Sequence, residues 1–327
     1  WDFRYQRPQH ILSRFAHAGC RIFYLNYQHS KEKKSYAIKV IQKDIYEVTL
    51  YSNKRWNIFS DPLSPKLMNS FINSIITLCS NLNLNNPIIF VEFPKWEPIV
   101  TRIKNEIKSK IIYDCLDEYS DFSNIGHSII HNEITLLHNC DLVVTTSKYL
   151  YNKVIKHNHN TVLIPNAGDF EHFHNISTNC MLNYIQKPII GYFGAIAEWF
   201  DIELIIHIAR DRPDWNLVLI GNTDGCSIKK AEKLPNIYFL GEKKYVDLPD
   251  FLYWFDVCLI PFKLTELIKA THPVKFYEYL STGKPVVSAK LPELLQYNHL
   301  CYFYENKDEA IKVISQALHE NDEKLRK

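Results

Sequence analysis

Ten short, apolar, β-branched runs alternate with helix-length stretches along these 327 residues, and that alternation restricts the fold more than any other feature. The first five are RIFYLN (21–26), PIIFVEF (87–93), KIIYDCL (110–116), DLVVTT (141–146) and TVLIPN (161–166). Helical patterns accompany them at 8–18, 64–82, 95–108, 127–139 and 147–157. After a polar stretch at 167–187 the pattern restarts with PIIGYFG (188–194), NLVLIG (216–221), NIYFLG (236–241), DVCLIPF (256–262) and KPVVSA (284–289). Helices are expected near 201–211, 226–233, 247–254, 274–282 and 307–320. Strands apolar on both faces, joined by helices, need a parallel sheet covered on both sides. The expected fold is therefore α/β, with two doubly wound domains at 1–168 and 169–327 facing a cleft. In such sheets ligands bind at the carboxyl ends of the strands. The helix at 8–18 has no strand before it, which implies a first strand upstream of Trp1.

Composition narrows the partners. The net charge of +2 gives no footprint for nucleic acid. The halves differ, with 20 Lys+Arg against 14 Asp+Glu in 1–165 and 18 against 22 in 166–327. The cluster Lys31, Lys33 and Lys34 reads either as a solvated loop or as a contact for an anionic membrane or acceptor. No apolar run reaches membrane-spanning length, and Arg4, Arg7, His10 and Arg14 interrupt any signal-peptide core. The eight cysteines are scattered without CxxC spacing, which points to a reducing, cytoplasmic compartment, with peripheral contact at the inner membrane face as a further expectation. The sequon Asn175-Ile176-Ser177 is a chance match in such a chain.

The candidate chemistry lies at strand ends. Residues 271–287, THPVKFYEYLSTGKPVV, read as a turn, a short helix opened by Pro273, a break at Gly283 and a buried strand. At ~100° per residue Lys275, Glu278 and Thr282 share a helix face, while Phe276 and Leu280 lie on another. A cation and a carboxylate beside a helix N-terminus suit a nucleoside diphosphate, the ammonium on phosphate and Glu278 on ribose. An i,i+3 surface ion pair describes the same spacing. Gly194 and Ala195 end another strand, where backbone can approach a ligand closely, although neither G-x-G-x-x-G nor a P-loop occurs. Tyr113-Asp114-Cys115-Leu116-Asp117-Glu118 puts three carboxylates at a strand end, with Asp117 the candidate base. Helix capping is the competing role. Arg4, Arg7, Gln9 and His10 cluster where the missing strand would turn into its helix, with Arg7 and His10 as candidate catalytic groups. Pro165-Asn166-Ala167-Gly168-Asp169 reads as a hinge or a ligand contact. There is no Asp-x-Asp and no metal-type His spacing, so neither metal nor cofactor is expected.

Three segments, WDFRYQRPQHILSRFAHAG, CDLVVTTSKYLYNKV with LIPNAGDFEHF, and PIIGYFGAIAEWFD through FDVCLIPF to HPVKFYEYLSTGKPVV, carry a resemblance to GT-B glycosyltransferases. The chain is similar to the retaining family-4 enzymes of bacterial cell-wall and surface-polysaccharide assembly. The resemblance implies two Rossmann-like domains and a nucleotide-sugar donor bound mainly by the second. It implies a glycan or lipid-linked acceptor and metal-free transfer with retention. Glu278 matches the motif glutamate that binds the ribose; Thr271, His272, Pro273, Val274 and Lys275 lie where phosphates and sugar would sit. Two positions depart from the family. Ala270 stands eight residues before Glu278 where a first Glu is usual, with Glu266 four further back. No Arg or Lys follows Gly194 until Arg210. A hydrolase or epimerase on the same architecture, or a catalytically weak nucleotide-binding module, are the alternatives. Such folds usually send a last helix back to the first domain, so the end at Lys327 also reads as trimmed.

Overall fold

The computed structural model describes residues 1, 5–31, 34–122, 125–174 and 181–319. Arg4, Lys33 and the sequon at 175–177 lie outside them. The chain divides into two compact units, Trp1–Ile164 and Pro165–Lys327.

In the first unit, α1 (Arg7–His17) carries Pro8 in its first turn, where a missing N–H costs nothing. Gly19, at φ +92, ends it in a backbone conformation that other residues adopt at a cost. Strand β1 (Ile22–His29) follows. The sequence reading leaves 36–52 without strands, yet β2 (Tyr36–Gln42) and β3 (Ile45–Ser52) fill it as a hairpin turning at Asp44, φ 62. Ile45, Val48 and Leu50 of β3 are wholly buried, and this face drives the pairing. β3 runs parallel to β1 and antiparallel to β2.

Helix α2 (Pro65–Asn81) starts at Ser64, whose Oγ accepts from the Leu67 N–H. Its buried Leu67, Phe71, Ile75 and Leu78 pack with Trp56 and β3. Each such side chain contributes roughly 1.5–3 kcal/mol on burial. Then β4 (Ile88–Val91), α3 (Glu97–Lys104), β5 (Lys110–Cys115), α4 (His127–Asn139), β6 (Leu142–Thr145), α5 (Lys148–Val154) and β7 (Thr161–Leu163) form a four-stranded parallel sheet in order β4-β5-β6-β7 with its helices. The expected all-parallel sheet is thus two hydrogen-bonded sheets, one of them mixed. A two-residue turn after β2 permits only an antiparallel return.

The second unit begins with α6 (Phe170–His174), then β8 (Ile189–Phe193), α7 (Ile202–Asp211), β9 (Asn216–Ile220) and β10 (Ile237–Phe239). It continues with α8 (Leu248–Trp254), β11 (Val257–Ile260), α9 (Glu266–Lys269), α10 (Val274–Ser281), β12 (Val286–Ala289), β13 (Tyr302–Tyr304) and α11 (Lys307–His319). Its six strands are all parallel, in order β10-β9-β8-β11-β12-β13. The helix expected at 226–233 is only a 3₁₀ turn at Ala231–Lys233. Upstream, Asn222 Oδ1 accepts from the Asp224 N–H at 2.7 Å, and such local side-chain bonds favour turns over helix. Trp215, Phe200, Phe255 and Phe276 are buried in a continuous core. The strand order reverses between β8 and β11, the position where doubly wound sheets open a crevice at their carboxyl ends.

Candidate functional site

Two glycines shape the end of β8. Gly191 has no room for a Cβ, which would lie 2.1 Å from the Phe255 ring, so Phe255 crosses the strand at that point. Gly194 follows the strand with φ +134 and donates its N–H to the Ile220 carbonyl at 2.9 Å. Tyr192 Oη donates to the Ala195 carbonyl at 2.8 Å, which holds the turn after the strand.

Helix α10 is fastened beside this turn from below. Phe276 and Tyr279 enter the core, and the Phe193 N–H donates to Tyr279 Oη at 3.1 Å. Pro273 is the residue before the first helical turn rather than its first member. On the opposite face, Lys275 Nζ lies 4.8 Å from the Phe262 ring centroid and 5.4 Å from that of Tyr192. A Cβ at Gly194 would lie 3.0 Å from Lys275 Cε. The turn after β8, the segment after β11 and α10 therefore meet around one ammonium.

Glu278, 5% exposed, lies one turn further along α10. Burial pushes the Lys275 pKa down, partly offset by Glu278. Burial pushes that of Glu278 up, with Lys275 opposing and Asp169 adding to the rise. Among the described residues no hydrogen bond or ion pair takes up either charged tip; the two act on each other only through their fields. The i,i+3 surface ion pair is not what forms. Withdrawing two charges from water without a hydrogen bond or ion pair costs stability, which the Phe262 and Tyr192 rings beside Lys275 only partly offset, and a ligand with complementary groups removes the cost.

The rest of the motif is structural support. The Thr271 hydroxyl donates to the Leu267 carbonyl at 2.8 Å. Buried His272 stacks on Tyr277, with Nε2 3.2 Å from its hydroxyl, and its carbonyl accepts from Asn166 Nδ2 at 2.6 Å. A Cβ on Gly168 would lie 3.1 Å from the Glu278 nitrogen, so the 165–169 loop presses on α10 backbone. Val274 is the first helical residue. Ala270 is buried completely, and Glu266 pairs with Lys269 at 2.7 Å on an exposed turn.

In the first unit, Arg7 is committed to Asp114 through two bonds, Nε–Oδ2 2.9 Å and a guanidinium nitrogen to Oδ1 at 3.0 Å. Asp114 is wholly buried on β5, which raises its pKa while Arg7 opposes the rise. Glu92, just after β4, was not singled out from the sequence. Burial and then the charge of Asp114 raise its pKa to about 8 against the pull of Arg7, and its buried Oε1 has no hydrogen-bond partner among the described residues. Its position at the end of PIIFVEF was the available signal. Asp117 lies two residues past β5, its pKa raised to about 6 by burial. His10 sits on α1 with its ring edge-on to Tyr5 at 4.6 Å. The structure bonds Arg7 to Asp114 and brings Glu92 within reach of the charge of both.

Among the described residues, no three His, Cys, Asp or Glu side chains gather as a metal site, and no helix is long and apolar enough to cross a membrane. The family model for glycosyl transferases group 1 matches residues 187–320. A Bacillus subtilis (strain 168) protein named for teichuronic acid biosynthesis, the glycosyltransferase TuaH, is 25% identical over 197 residues, 54% of this chain and 50% of that protein. The chain thus spans about half the length of this curated relative. Sucrose-phosphate synthase from Thermosynechococcus elongatus aligns with TM-score 0.73 at 13% identity, over 96% of this chain and 83% of that one. Anabaena HepE, solved in complex with UDP and glucose, aligns with TM-score 0.63 at 14% identity, over 92% and 90%. The fold these likenesses show is GT-B.

Proposed function

We propose that this chain transfers a sugar from a nucleoside diphosphate-sugar to a glycan or lipid-linked acceptor, a reading supported by the match of residues 187–320 to the glycosyl transferases group 1 model and by the GT-B fold. One observation carries the reading. Lys275 and Glu278 lie on one face of α10, withdrawn from water, and among the described residues neither charged tip has a hydrogen bond or ion pair, at the strand-order reversal. An ammonium at the start of a helix supplies positive charge to a diphosphate, and the α10 dipole adds to it. Glu278, a turn away, accepts hydrogen bonds from ribose hydroxyls.

As the glycosidic bond breaks, negative charge grows on the departing diphosphate. Lys275 and the N–H groups opening α10 are fixed before the reaction, so they stabilise that charge without reorganising. In this mechanism they take the place of a metal ion. Gly194 leaves space for backbone to approach the diphosphate. Asp117, with its raised pKa, is the group proposed to receive a proton from the acceptor hydroxyl. Retention of anomeric configuration is proposed from the likeness of 272–287 to retaining enzymes.

HepE was solved with UDP, so uridine diphosphate is the first nucleotide to titrate. Calorimetry is expected to show binding by the intact chain that survives EDTA. Heats equal to buffer with uridine and guanosine diphosphates alike would sink the reading. Buried Ala270 favours one second reading, a module that binds the nucleotide and turns over poorly; donor consumption with and without acceptor separates the two.

A further inference from the structure

We propose that the first unit holds an anion site of its own, for a phosphate-bearing group, where the ends of β1 and β3 meet the first turns of α2. A cavity of about 270 Å³ opens there, lined by Lys31, Lys34, Lys54 and Lys66 together with Ser52 and Ser70. Among the described residues no carboxylate lines it. The ammonium groups of Lys31, Lys54 and Lys66 are like charges around one small space, and an anion seated there is attracted by all three.

The basin is built on ordered backbone. β1 and β3 run parallel in register His29 to Ser52, so both carboxyl ends open into the same place. The Ser30 N–H donates to the Ser52 carbonyl at 2.9 Å, and the Lys54 N–H to Ser52 Oγ at 3.1 Å. The Ser35 carbonyl accepts from the Tyr51 N–H at 3.1 Å and from Ser74 Oγ at 3.3 Å, which ties the lysine loop to β3 and to α2. Tyr27 Oη donates to the Lys54 carbonyl. Lys66 lies in the first turn of α2, where the helix dipole favours negative charge. Pro65 has no N–H and Ser64 occupies that of Leu67, so the lysines and not the helix end supply the binding.

The chemistry favours phosphate over carboxylate. Lysines are point charges that surround a tetrahedral anion, whereas planar carboxylates are matched by the guanidinium fork, which this cavity lacks. At about 270 Å³ it has room for a headgroup-sized phosphate or diphosphate. The site stands independently of the α10 reading.

The test is acetylation footprinting of the full chain with inorganic pyrophosphate as probe, read by mass spectrometry at Lys31, Lys54 and Lys66. Saturating pyrophosphate is expected to slow their modification about tenfold against sodium chloride of matched ionic strength, with Lys110 and Lys187 unchanged. A Lys54→Gln/Lys66→Gln variant is expected to lose protection at Lys31 while keeping the wild-type melting temperature. Its titration with UDP reports on the other unit, so a failed donor site and a failed basin are told apart. Vesicles of phosphatidylglycerol, compared with phosphatidylcholine, identify the source. Protection by the anionic vesicles assigns a lipid headgroup, and protection by pyrophosphate alone assigns a soluble phosphate ester. Equal modification rates with and without pyrophosphate overturn the proposal, as does full protection at Lys31 in the double variant.

Discussion

Gly194 and Lys275, 81 residues apart in sequence, are in contact: a Cβ on the glycine would lie 3.0 Å from the lysine Cε and 3.3 Å from its Nζ. The glycine also holds φ at +134, where side chains are rarely accommodated. Gly194→Ala is therefore expected to cost about 1–3 kcal/mol of stability and to displace the ammonium. Nucleotide affinity is expected to fall about tenfold or more, as read by calorimetry beside a denaturation curve. Wild-type affinity in a folded Gly194→Ala protein would argue that Lys275 does not contact the ligand.

Replacing both charges of α10 separates binding from folding. Lys275→Met with Glu278→Gln removes two desolvated charges at once and is expected to leave the chain as stable as wild type, or more stable by about 1–4 kcal/mol. Nucleotide binding is expected to weaken at least about a hundredfold through loss of charge-assisted contacts. Lys275→Met alone leaves Glu278 without its opposing charge and is expected to melt below the double variant. Equal binding by the double variant and wild type would refute the role given to both residues.

Glu92 makes stability depend on pH. Its pKa is raised from 4.5 to about 8 in the folded protein, so below pH 4.5 the carboxyl is protonated in both states and the full stability is present. Between these values the unfolded chain ionises while the folded protein keeps the proton, and stability falls until pH passes about 8. The expected loss between pH 5 and pH 9 is about 2–4 kcal/mol. Glu92→Gln is expected to flatten that slope in urea titrations at the two pH values, and an unchanged slope would place the ionisation elsewhere.

Asp117 is expected to act on turnover and not on the nucleotide. With its pKa raised to about 6 by burial, the ionised form grows in as pH rises through that value, and transfer rate is expected to rise with it. Asp117→Asn is expected to lower the rate by about 10²–10⁴-fold and remove this limb of the profile, while UDP affinity stays within about twofold. A variant that keeps the rate and the profile would return Asp117 to a capping role.

Much of this was legible in the sequence for a local reason. Strands such as Ile189–Phe193 and Val257–Ile260 are buried on both faces, so their apolar runs stand out without knowledge of partners. The β2–β3 hairpin escaped because its strands expose one face, and Val40, 65% exposed, sits in a pattern weaker than a buried run. The helix expected at 226–233 is confined to a 3₁₀ turn at Ala231–Lys233, and side-chain bonds of Asn222 and Asp224 hold the residues ahead of it in a turn.

The sequence by itself determined the alternation of strands and helices, the helix at 274–282 and the spacing that sets Lys275 and Glu278 on one face, because each depends on neighbours within a turn or two. Only the tertiary structure decided that the two charges are withdrawn from water, with no hydrogen bond or ion pair among the described residues, rather than a surface ion pair, since burial is set by β8 and β11 arriving beside α10. It likewise decided that Arg7 is held by Asp114, 107 residues away, and that lysines following β1, following β3 and in α2 line one basin. Such contacts follow from where the parallel strands end, and no local spacing encodes them.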